Sequence, residues 1–593
     1  MRIYSLQDFL KYLEKNGELV RVNVEVDAAL EAAEIAIRAL NEGMPAILFE
    51  NIKGARYPLA MNVLASDKRI ELALGKHPDE LGEELIHFME GAMPPKPKVF
   101  LENIEVTKRI YSALPKNSRN STSQENVISC PNLNEMPVTT SWPEDGGPFI
   151  TLPQVFTYDP HTGKRNVGMY RMQVFDNKTT GMHWQIQKGG GFHFHQAKKI
   201  GKEFEIAVAL GTDPALLLAT VAALPEGMDE VMFSGFLRGK RTRMTTGNSI
   251  SIKVPADAEF ILEGTVHLDE LRMEGPFGDH FGHYSNASAF PVFHIKSVTH
   301  RNNPVFPATV VGRPPMEDKF LGNATQQVLG PLIRLIHPEI EDLWAYYEAG
   351  FHNLLVVSVE ERYSKEAMKT ALSIMGEGQL SLTKCIITVS DGVNVRDFKA
   401  VLKEVHDNFD PAYDFIMIPK VPLDTLDFTS YKMNLGSKMI IDATRKHGKN
   451  NRSELGKTGK DTCNVDSVKA MDNRIVDCCL LYETLLIVVV EDNGKDVVNK
   501  LIKSSQLVGP KIVAAVSPDV DIHDEEQTIW GIFTRFDAER DVSFSEEKLV
   551  GISPVFRGIM GIDATWKNGY PAPLIMPDEI VKRVDSRWDS YWK

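Results

Sequence analysis

The chain has 593 residues, 43% hydrophobic and 25% charged, so several folded units with large cores are expected rather than one. Its formal net charge of −14 repels phosphate backbones, which sets nucleic acid aside as an expected partner. No apolar run approaches the roughly 20 residues that cross a bilayer, and the segment from Met1 to Ser5 leads into a polar helix rather than a secretory signal.

The N-terminal stretch reads as α/β. Ser5-Leu-Gln-Asp8 has the form of a helix-starting box. Val20, Val22, Val24 and Val26 alternate with polar residues, the period of a half-buried strand. Asp27 to Gly43 predicts a helix, and Ala46 to Phe49 a buried strand. Prolines in Ala92-Met-Pro-Pro-Lys-Pro-Lys98 end this unit. Lys116 to Glu125 reads as a linker or exposed loop.

From about Pro148 to Val311 the pattern turns to β. Phe149 to Tyr158 and Asn166 to Phe175 predict two strands joined by the turn Asp159-Pro-His-Thr-Gly163. Further strands are expected at Ser249 to Val254, Glu259 to Val266 and Val292 to Val298, with one helix at Pro214 to Ala223. Short strands and glycine-rich turns predict a barrel or a strongly curved sheet.

From about Phe320 the pattern is α/β again, and it repeats. Leu354 to Glu361 resembles Leu485 to Asp492. Val393 to Asp414 aligns without a gap to Val520 to Asp541. Ile441-Asp-Ala-Thr444 returns as Ile562-Asp-Ala-Thr565, followed by Lys446 and Lys567. Three matches in one order predict a duplicated βαβ-type unit. Between the copies, Lys446 to Lys469 reads as a basic linker. Cys130, Cys385, Cys463, Cys478 and Cys479 are odd in number and form no CxxC pair, so free thiols in a cytoplasmic protein are expected.

Chemistry-bearing residues concentrate in four segments of the β-rich middle: Asn166-Val-Gly-Met-Tyr-Arg171, Thr180 to Gly191, Pro225 to Glu230 and Met273 to His280. Lys188-Gly-Gly-Gly191 offers one cation and backbone that approaches a ligand closely, which suits a phosphate, although glycine triplets also serve as plain turns. Asn166 and Glu230 are oxygen ligands for a hard ion, and Asn166 could equally cap a turn. Glu274 and Asp279 share one loop. Two close carboxylates ionise unequally, so one can serve as an acid; the same pair on a surface loop is simply solvated. Arg171 matches either a carboxylate of that pair or a substrate carboxylate in fork geometry. His193 and His195 would face one way on a strand and, with His183, offer a zinc alternative; packed or surface histidines are the favoured reading. Asn166 and Arg171 are an odd number of residues apart. They reach one ligand only if the strand bends or ends between them, and Gly168 is the expected place for a bulge.

Taken together, these segments resemble the UbiD family of decarboxylases, which depend on prenylated FMN. The resemblance spans roughly Met1 to Lys446, with characteristic wording at Gly147-Pro-Phe-Ile-Thr151, Asn166 to Arg171, Glu274-Gly-Pro-Phe-Gly-Asp-His280 and Gly312-Arg-Pro-Pro315. It implies an N-terminal α/β domain (1–115), a central flavin-reductase-like split β-barrel (116–318) and a C-terminal α/β domain (319–448). The duplicated unit (470–575) and a C-terminal helix or tail (576–593) would follow. It implies that Asn166 and Glu230 hold manganese or a similar divalent ion, with potassium often nearby. Met169, Tyr170, Arg171, His183, Trp184, Gln185, Lys188 and Gly189 match flavin-contacting positions, and Lys438 falls where some relatives bring a lysine towards the phosphate. Arg171, Glu274 and Asp279 match the catalytic arginine and acid pair, with Asp279 as proton donor. Gln187 stands where many relatives have a histidine that in some helps bind the metal, and an amide oxygen holds a transition metal more weakly.

The activity implied is non-oxidative loss of carbon dioxide from an aromatic or α,β-unsaturated acid, in quinone biosynthesis. A flavin prenyltransferase would supply the cofactor. The implied protein is a cytoplasmic homo-oligomer, peripheral to the membrane if its substrate is prenylated. Two rival readings are a flavin-reductase-like oxidoreductase, which lacks a supporting GxGxxG after a strand, and a subunit of an aromatic carboxylase complex.

Overall fold

A computed structural model describes residues 3–91, 103–184, 189–224, 227–430, 432, 435–446 and 463–593. The fold is mixed α/β with several sheets, and the chain forms two compact units, Met1–Leu329 with Ala572–Lys593, and Gly330–Pro571.

In the first unit, helix Leu6–Lys15 buries Leu6, Phe9, Leu10 and Leu13, the spacing of one apolar stripe, and Ser5 caps it by accepting from Asp8 N. Four short strands form one of its sheets, in the order Leu19–Val22, Ala46–Phe49, Leu59–Met61 and Phe306–Pro307. The next helix covers Glu31–Asn41, shorter than Asp27 to Gly43 predicts. Its entry is a turn: Asp27 Oδ1 accepts from Ala29 N, and Glu31 Oε2 accepts from Asp27 N. Helix Glu317–Leu329 belongs to this unit. Glu317 Oε1 accepts from Leu64 N at 2.7 Å, and Gln327 Nε2 donates to Asp79 at 3.2 Å. The C-terminal helix Asp578–Tyr591 lies on helix Glu31–Asn41, where Tyr591 Oη and Arg587 both donate to Glu31 Oε1.

The β-rich middle is an antiparallel sheet in the order Thr179–Gly181, Ser288–His300, Phe260–Glu274, Phe204–Leu210, Gln154–Tyr158 and Arg165–Met169, with Asn126–Ile128 paired to Ser288–His300. Its pairings run as an open path. The strands predicted at Phe149 to Tyr158 and Asn166 to Phe175 each break in two. Gln154–Tyr158 pairs with Arg165–Met169, whereas Phe149–Ile150 pairs with Met172–Gln173 in a separate ribbon. Pro153, with no N–H to donate, stands at the first break. The register between Gln154–Tyr158 and Arg165–Met169 is regular through Gly168, so the expected bulge is absent and the strand ends after Met169 instead. Gly168 has a different duty: a Cβ there would lie 2.5 Å from the Tyr170 ring. Among the described residues three helices, Gly189–Ile200, Pro214–Val221 and Glu230–Arg238, stand where one was expected. His193 and His195 therefore lie on a helix, where residues two apart do not face one way.

The second unit contains two sheets of similar build. Its two five-stranded sheets have the same order: Ile340–Ala345, Leu355–Val359, Cys385–Ser390, Gly436–Asp442, Phe415–Val421, and Ile475–Leu481, Leu485–Val490, Ile512–Val516, Ser553–Ala564, Val542–Val550. The matched aspartates do matched work. Asp397 and Asp524 cap equivalent helices, and Asp442 and Asp563 each accept from a threonine hydroxyl at 2.6 Å. One apolar core, including Phe398, Met439, Trp530 and Met560, runs through both copies. Most of the expected linker lies outside the described residues; its end enters helix Val465–Met471. The five cysteines are free. Among the described residues no helix is long and apolar enough to cross a membrane.

Candidate active site

The break after Met169 turns the chain so that Arg171 leaves the sheet edge and meets two carboxylates. Glu274 ends the long strand Phe260–Glu274, and Asp279 follows the ribbon strand Phe277–Gly278. Arg171 Nε donates to Glu274 Oε1 at 3.1 Å and Nη1 to Asp279 Oδ2 at 2.5 Å. Its guanidinium also lies over the Phe277 ring, 4.6 Å from the centroid. His183 Nδ1 shares a hydrogen bond with Glu274 Oε1 at 2.8 Å, and His280 Nδ1 one with Asp279 Oδ1 at 3.0 Å. Both acids are buried. Burial opposes ionisation of Asp279, but the His280 hydrogen bond and the Arg171 charge outweigh it and hold the carboxyl down to about 2. Glu274 Oε2 is buried without a hydrogen-bond partner. It faces Gly181, where a Cβ would stand 2.8 Å away. An orphaned buried carboxylate oxygen is costly unless a ligand completes it.

A second cluster lies along the same strand. Val167 N donates to Glu230 Oε2 at 3.0 Å, which brings that carboxylate beside Asn166, and burial pushes Glu230 up to about 7. Glu230 opens its helix, capped by Asp229, and Arg165 grips both Asp229 oxygens at 2.8 and 2.6 Å. Gly189 and Gly190 begin helix Gly189–Ile200 against this cluster. A Cβ at Gly189 would collide with the Asn166 amide, and one at Gly190 would lie 2.6 Å from Trp184. Gly190 N donates to Tyr170 Oη at 3.1 Å, and Tyr170 meets Trp184 edge-on at 5.1 Å. Asn166 Nδ2 and Trp184 Nε1 are buried without hydrogen-bond partners.

The structure thus brings together Asn166, Tyr170, Trp184, Gly189 and Glu230 in one cluster and Arg171, His183, Glu274 and Asp279 in the other. Met169 ends its strand opposite Gln154. Gln185, Gln187 and Lys188 lie outside the described residues. Lys438 belongs to the second unit, where it is buried and donates to Ser381 O; burial pulls its ammonium down to about 8. His193 shares a hydrogen bond with Thr157 Oγ1 at 2.9 Å, and His195 is exposed, so neither builds a zinc site with His183.

Three contributors escape the sequence reading. His280 is the direct partner of Asp279, and its place next to the acid was the available signal. Asp145 accepts from Ser141 N, Trp142 N and Gly278 N at 3.0, 2.9 and 2.8 Å, tying the segment before Asp279 to a distant loop. Burial raises Asp145 to about 6. Arg165 fixes the Asp229 cap. Nothing in spacing announces these last two.

A metal and a flavin phosphate fit this donor set. Asn166 and Glu230 supply oxygen ligands suited to a divalent ion. The helix N-terminus at Gly189, beside Asn166, suits an anion. The orphaned amide of Asn166 and indole N–H of Trp184 are what a ligand would satisfy.

Comparison with known proteins agrees along the whole chain. Three family profiles match in order: the N-terminal domain of 3-octaprenyl-4-hydroxybenzoate carboxy-lyase at 10–89, its Rift-related domain at 116–314, and its C-terminal domain at 319–443 and 464–564. A Chlamydia pneumoniae protein, named as a subunit of 4-hydroxybenzoate decarboxylase, is 34% identical over 593 residues, 99% of this chain and 98% of its own. Among solved structures, vanillic acid decarboxylase of Sedimentibacter hydroxybenzoicus in closed form superposes with a TM-score of 0.68 at 27% identity, covering 76% of this chain and 94% of its own. An evolved dimeric form of the UbiD-class enzyme HmfF from Pelotomaculum thermopropionicum, in complex with prFMN, gives 0.61 at 26% identity, covering 74% and 95%. The chain is therefore an enzyme of the carboxy-lyase class and belongs to the UbiD family.

Proposed function

We propose that this enzyme removes carbon dioxide from an aromatic or α,β-unsaturated carboxylic acid, using prenylated FMN and a divalent ion such as manganese, in quinone biosynthesis. The observation that carries this reading is the Arg171 fork shared between two buried carboxylates, one of which keeps an unpartnered oxygen. The HmfF complex with prFMN and the carboxy-lyase name of the family profiles support the cofactor and the reaction class. Asn166 and Glu230 would hold the metal, with Gln187 as a third ligand. Gly189, Tyr170 and Trp184 would line the flavin, joined by Met169, Gln185 and Lys188. Lys438 is retained as a candidate for the phosphate on the family resemblance. Potassium would sit near the metal. We further read the central sheet as a flavin-reductase-like split barrel, and the protein as a cytoplasmic homo-oligomer that receives its cofactor from a flavin prenyltransferase.

Loss of carbon dioxide from an sp² carbon leaves an electron pair that no side chain can accept; the bound flavin supplies that electron sink. The protein's own residues manage position and protons. Arg171 orients the acids and a substrate carboxylate. Asp279 is ionised at neutral pH, so it must first gain a proton before it can give one to carbon. A substrate carboxylate competing for Arg171 brings a like charge beside Asp279 and raises its proton affinity. The free Glu274 oxygen is the second point at which a proton can be held.

Asp279→Asn is expected to slow carbon dioxide release by about 10²–10⁴-fold, the usual contribution of a general acid, while retaining bound flavin. Turnover at the parental rate would remove Asp279 from the mechanism. Gly189→Ala should push the Asn166 amide out of place. Flavin content, read by absorbance of protein made beside the prenyltransferase, should fall at least about tenfold, the scale on which a metal site responds to disturbed support of its ligands. Undiminished flavin would separate Gly189 from the cofactor site.

A second reading has one specific support. The Chlamydia pneumoniae relative is named as one subunit of its decarboxylase. On that reading this chain is one part of a decarboxylase complex. Solvent-deuterium incorporation into product by the isolated chain decides between the two.

A further inference from the structure

Strand Phe260–Glu274 pairs with Ser288–His300 up to Val266 opposite Phe293, with one register shift between Glu263 and Gly264, and pairing resumes at Leu271 opposite Pro291. The intervening residues, 267–270, leave the ladder. A bulge of this kind re-aims side chains, and here it turns His267 and Glu270 towards His294 on the neighbouring strand. Glu270 Oε2 lies 2.6 Å from His294 Nε2 and 3.3 Å from His267 Nδ1. The two imidazole rings lie nearly parallel, 4.0 Å between centroids and 15° between planes. Among the described residues this is the one group of three histidine, cysteine or acidic side chains whose ligand atoms all lie within 4.8 Å of one another.

We propose that His267, Glu270 and His294 form a binding site for a zinc-class transition-metal ion, separate from the Asn166 and Glu230 cluster. Tetrahedral ligands at zinc bond lengths stand about 3.4 Å apart, so the 3.3 Å pair already has that spacing and the 2.6 Å pair need only open. Two imidazoles with one carboxylate favour zinc, cobalt, nickel or copper over magnesium and calcium, which prefer all-oxygen sites. The three protein ligands leave a fourth position for water. Arg272 Nη2 holds the other oxygen, Glu270 Oε1, at 3.2 Å, so the carboxylate presents Oε2 to the rings, as outer-sphere partners do in metal sites. Arg272 is itself shared with Asp176 at 3.5 Å, which offsets its charge.

The site has a structural consequence. Lys198, in the last turn of helix Gly189–Ile200, donates to Leu268 O at 3.0 Å and pairs with Asp269 at 3.1 Å. The bulge therefore joins that helix, whose first turn meets Asn166 and Tyr170, to the strand that ends in Glu274. An ion here would pin the supports of both candidate clusters without touching the reacting atoms.

The test uses the full chain loaded with flavin and manganese, dialysed against buffered micromolar zinc, with bound metals counted by mass spectrometry. The parent should retain one zinc more than His294→Ala or Glu270→Gln, and Asn166→Ala should retain that zinc. Each protein is compared with its own midpoint in chelator: zinc should raise that midpoint in the parent and in Asn166→Ala and leave it unchanged in His294→Ala and Glu270→Gln, because an ion that binds only the native state stabilises it. Equal zinc in the parent and His294→Ala, or loss of the extra ion in Asn166→Ala, would overturn the proposal. So would a parent that releases all zinc on dialysis.

Discussion

Arg171→Ala is expected to cost about 3–5 kcal/mol of stability and to abolish carbon dioxide release. Removing one partner of a buried ion pair leaves the other charge uncompensated, and here two are stranded. Glu274 is 0% exposed and Asp279 7%, so neither can turn to water for help. Arg171→Lys should recover part of the stability and little activity, because one ammonium cannot span both carboxylates as the guanidinium fork does. The acid limb of stability offers an independent readout. The native pKa of Asp279 is held near 2, below its ordinary 3.8. This acid therefore contributes stability above about pH 4 that is lost as pH falls towards about 2. Without Arg171 the depression shrinks, so that contribution shrinks and unfolding in acid should begin at higher pH. Denaturant titrations between pH 2 and 7 check both expectations; an unchanged midpoint and acid limb would show that Arg171 is not the counter-charge.

Lys384→Ala should destabilise the second unit by a similar amount, about 3–5 kcal/mol, with no direct effect on the reacting groups. Lys384 and Asp427 are fully buried and 2.9 Å apart. The same ammonium donates to Phe536 O at 2.9 Å and lies 4.9 Å from the Phe536 ring centre. Phe536 belongs to the second copy, and Thr429 Oγ1 of the first also donates to its carbonyl at 3.1 Å. Ser437 Oγ accepts from Glu539 N, and Arg540 donates to Thr429 O, so one buried lysine sits at a polar seam between the copies. The paired change Lys384→Met with Asp427→Leu removes both charges and should recover most of the loss. If the single and double variants melt alike, the pair is not what joins the copies.

Both expectations rest on contacts between segments far apart in the chain, and that separates what was legible from what was not. Hairpin Gln154–Tyr158 with Arg165–Met169 was legible, because a turn of Asp, Pro and Gly between alternating runs is a local signal. The caps at Asp397 and Asp524 were legible because the same aspartates recur in the repeated sequence where helices begin. Helix Gly189–Ile200 was not, since three glycines are poor helix formers and read as a turn. It begins there because only glycine fits against Asn166 and Trp184, a fact of packing. The bulge expected at Gly168 was misplaced for the same reason: that glycine clears the Tyr170 ring, and the chain turns only after Met169.

By itself the sequence determined the kinds of groups present and their order: a guanidinium after Met169, two carboxylates around a Gly-Pro-Phe-Gly turn, a glycine triplet, and a repeated capping pattern. These follow from local rules of period, turn chemistry and capping, each confined to a few neighbouring residues. Only the tertiary structure decided that Arg171 spans both carboxylates, that His183 and His280 each take one of them, that Asp279 is held ionised, and that Glu274 keeps a free oxygen. Those outcomes depend on burial and on distances across roughly a hundred residues of chain, here the 103 and 108 positions between Arg171 and its two acids. Electrostatic strength is set by separation in space and by exclusion of water, and no local pattern encodes either.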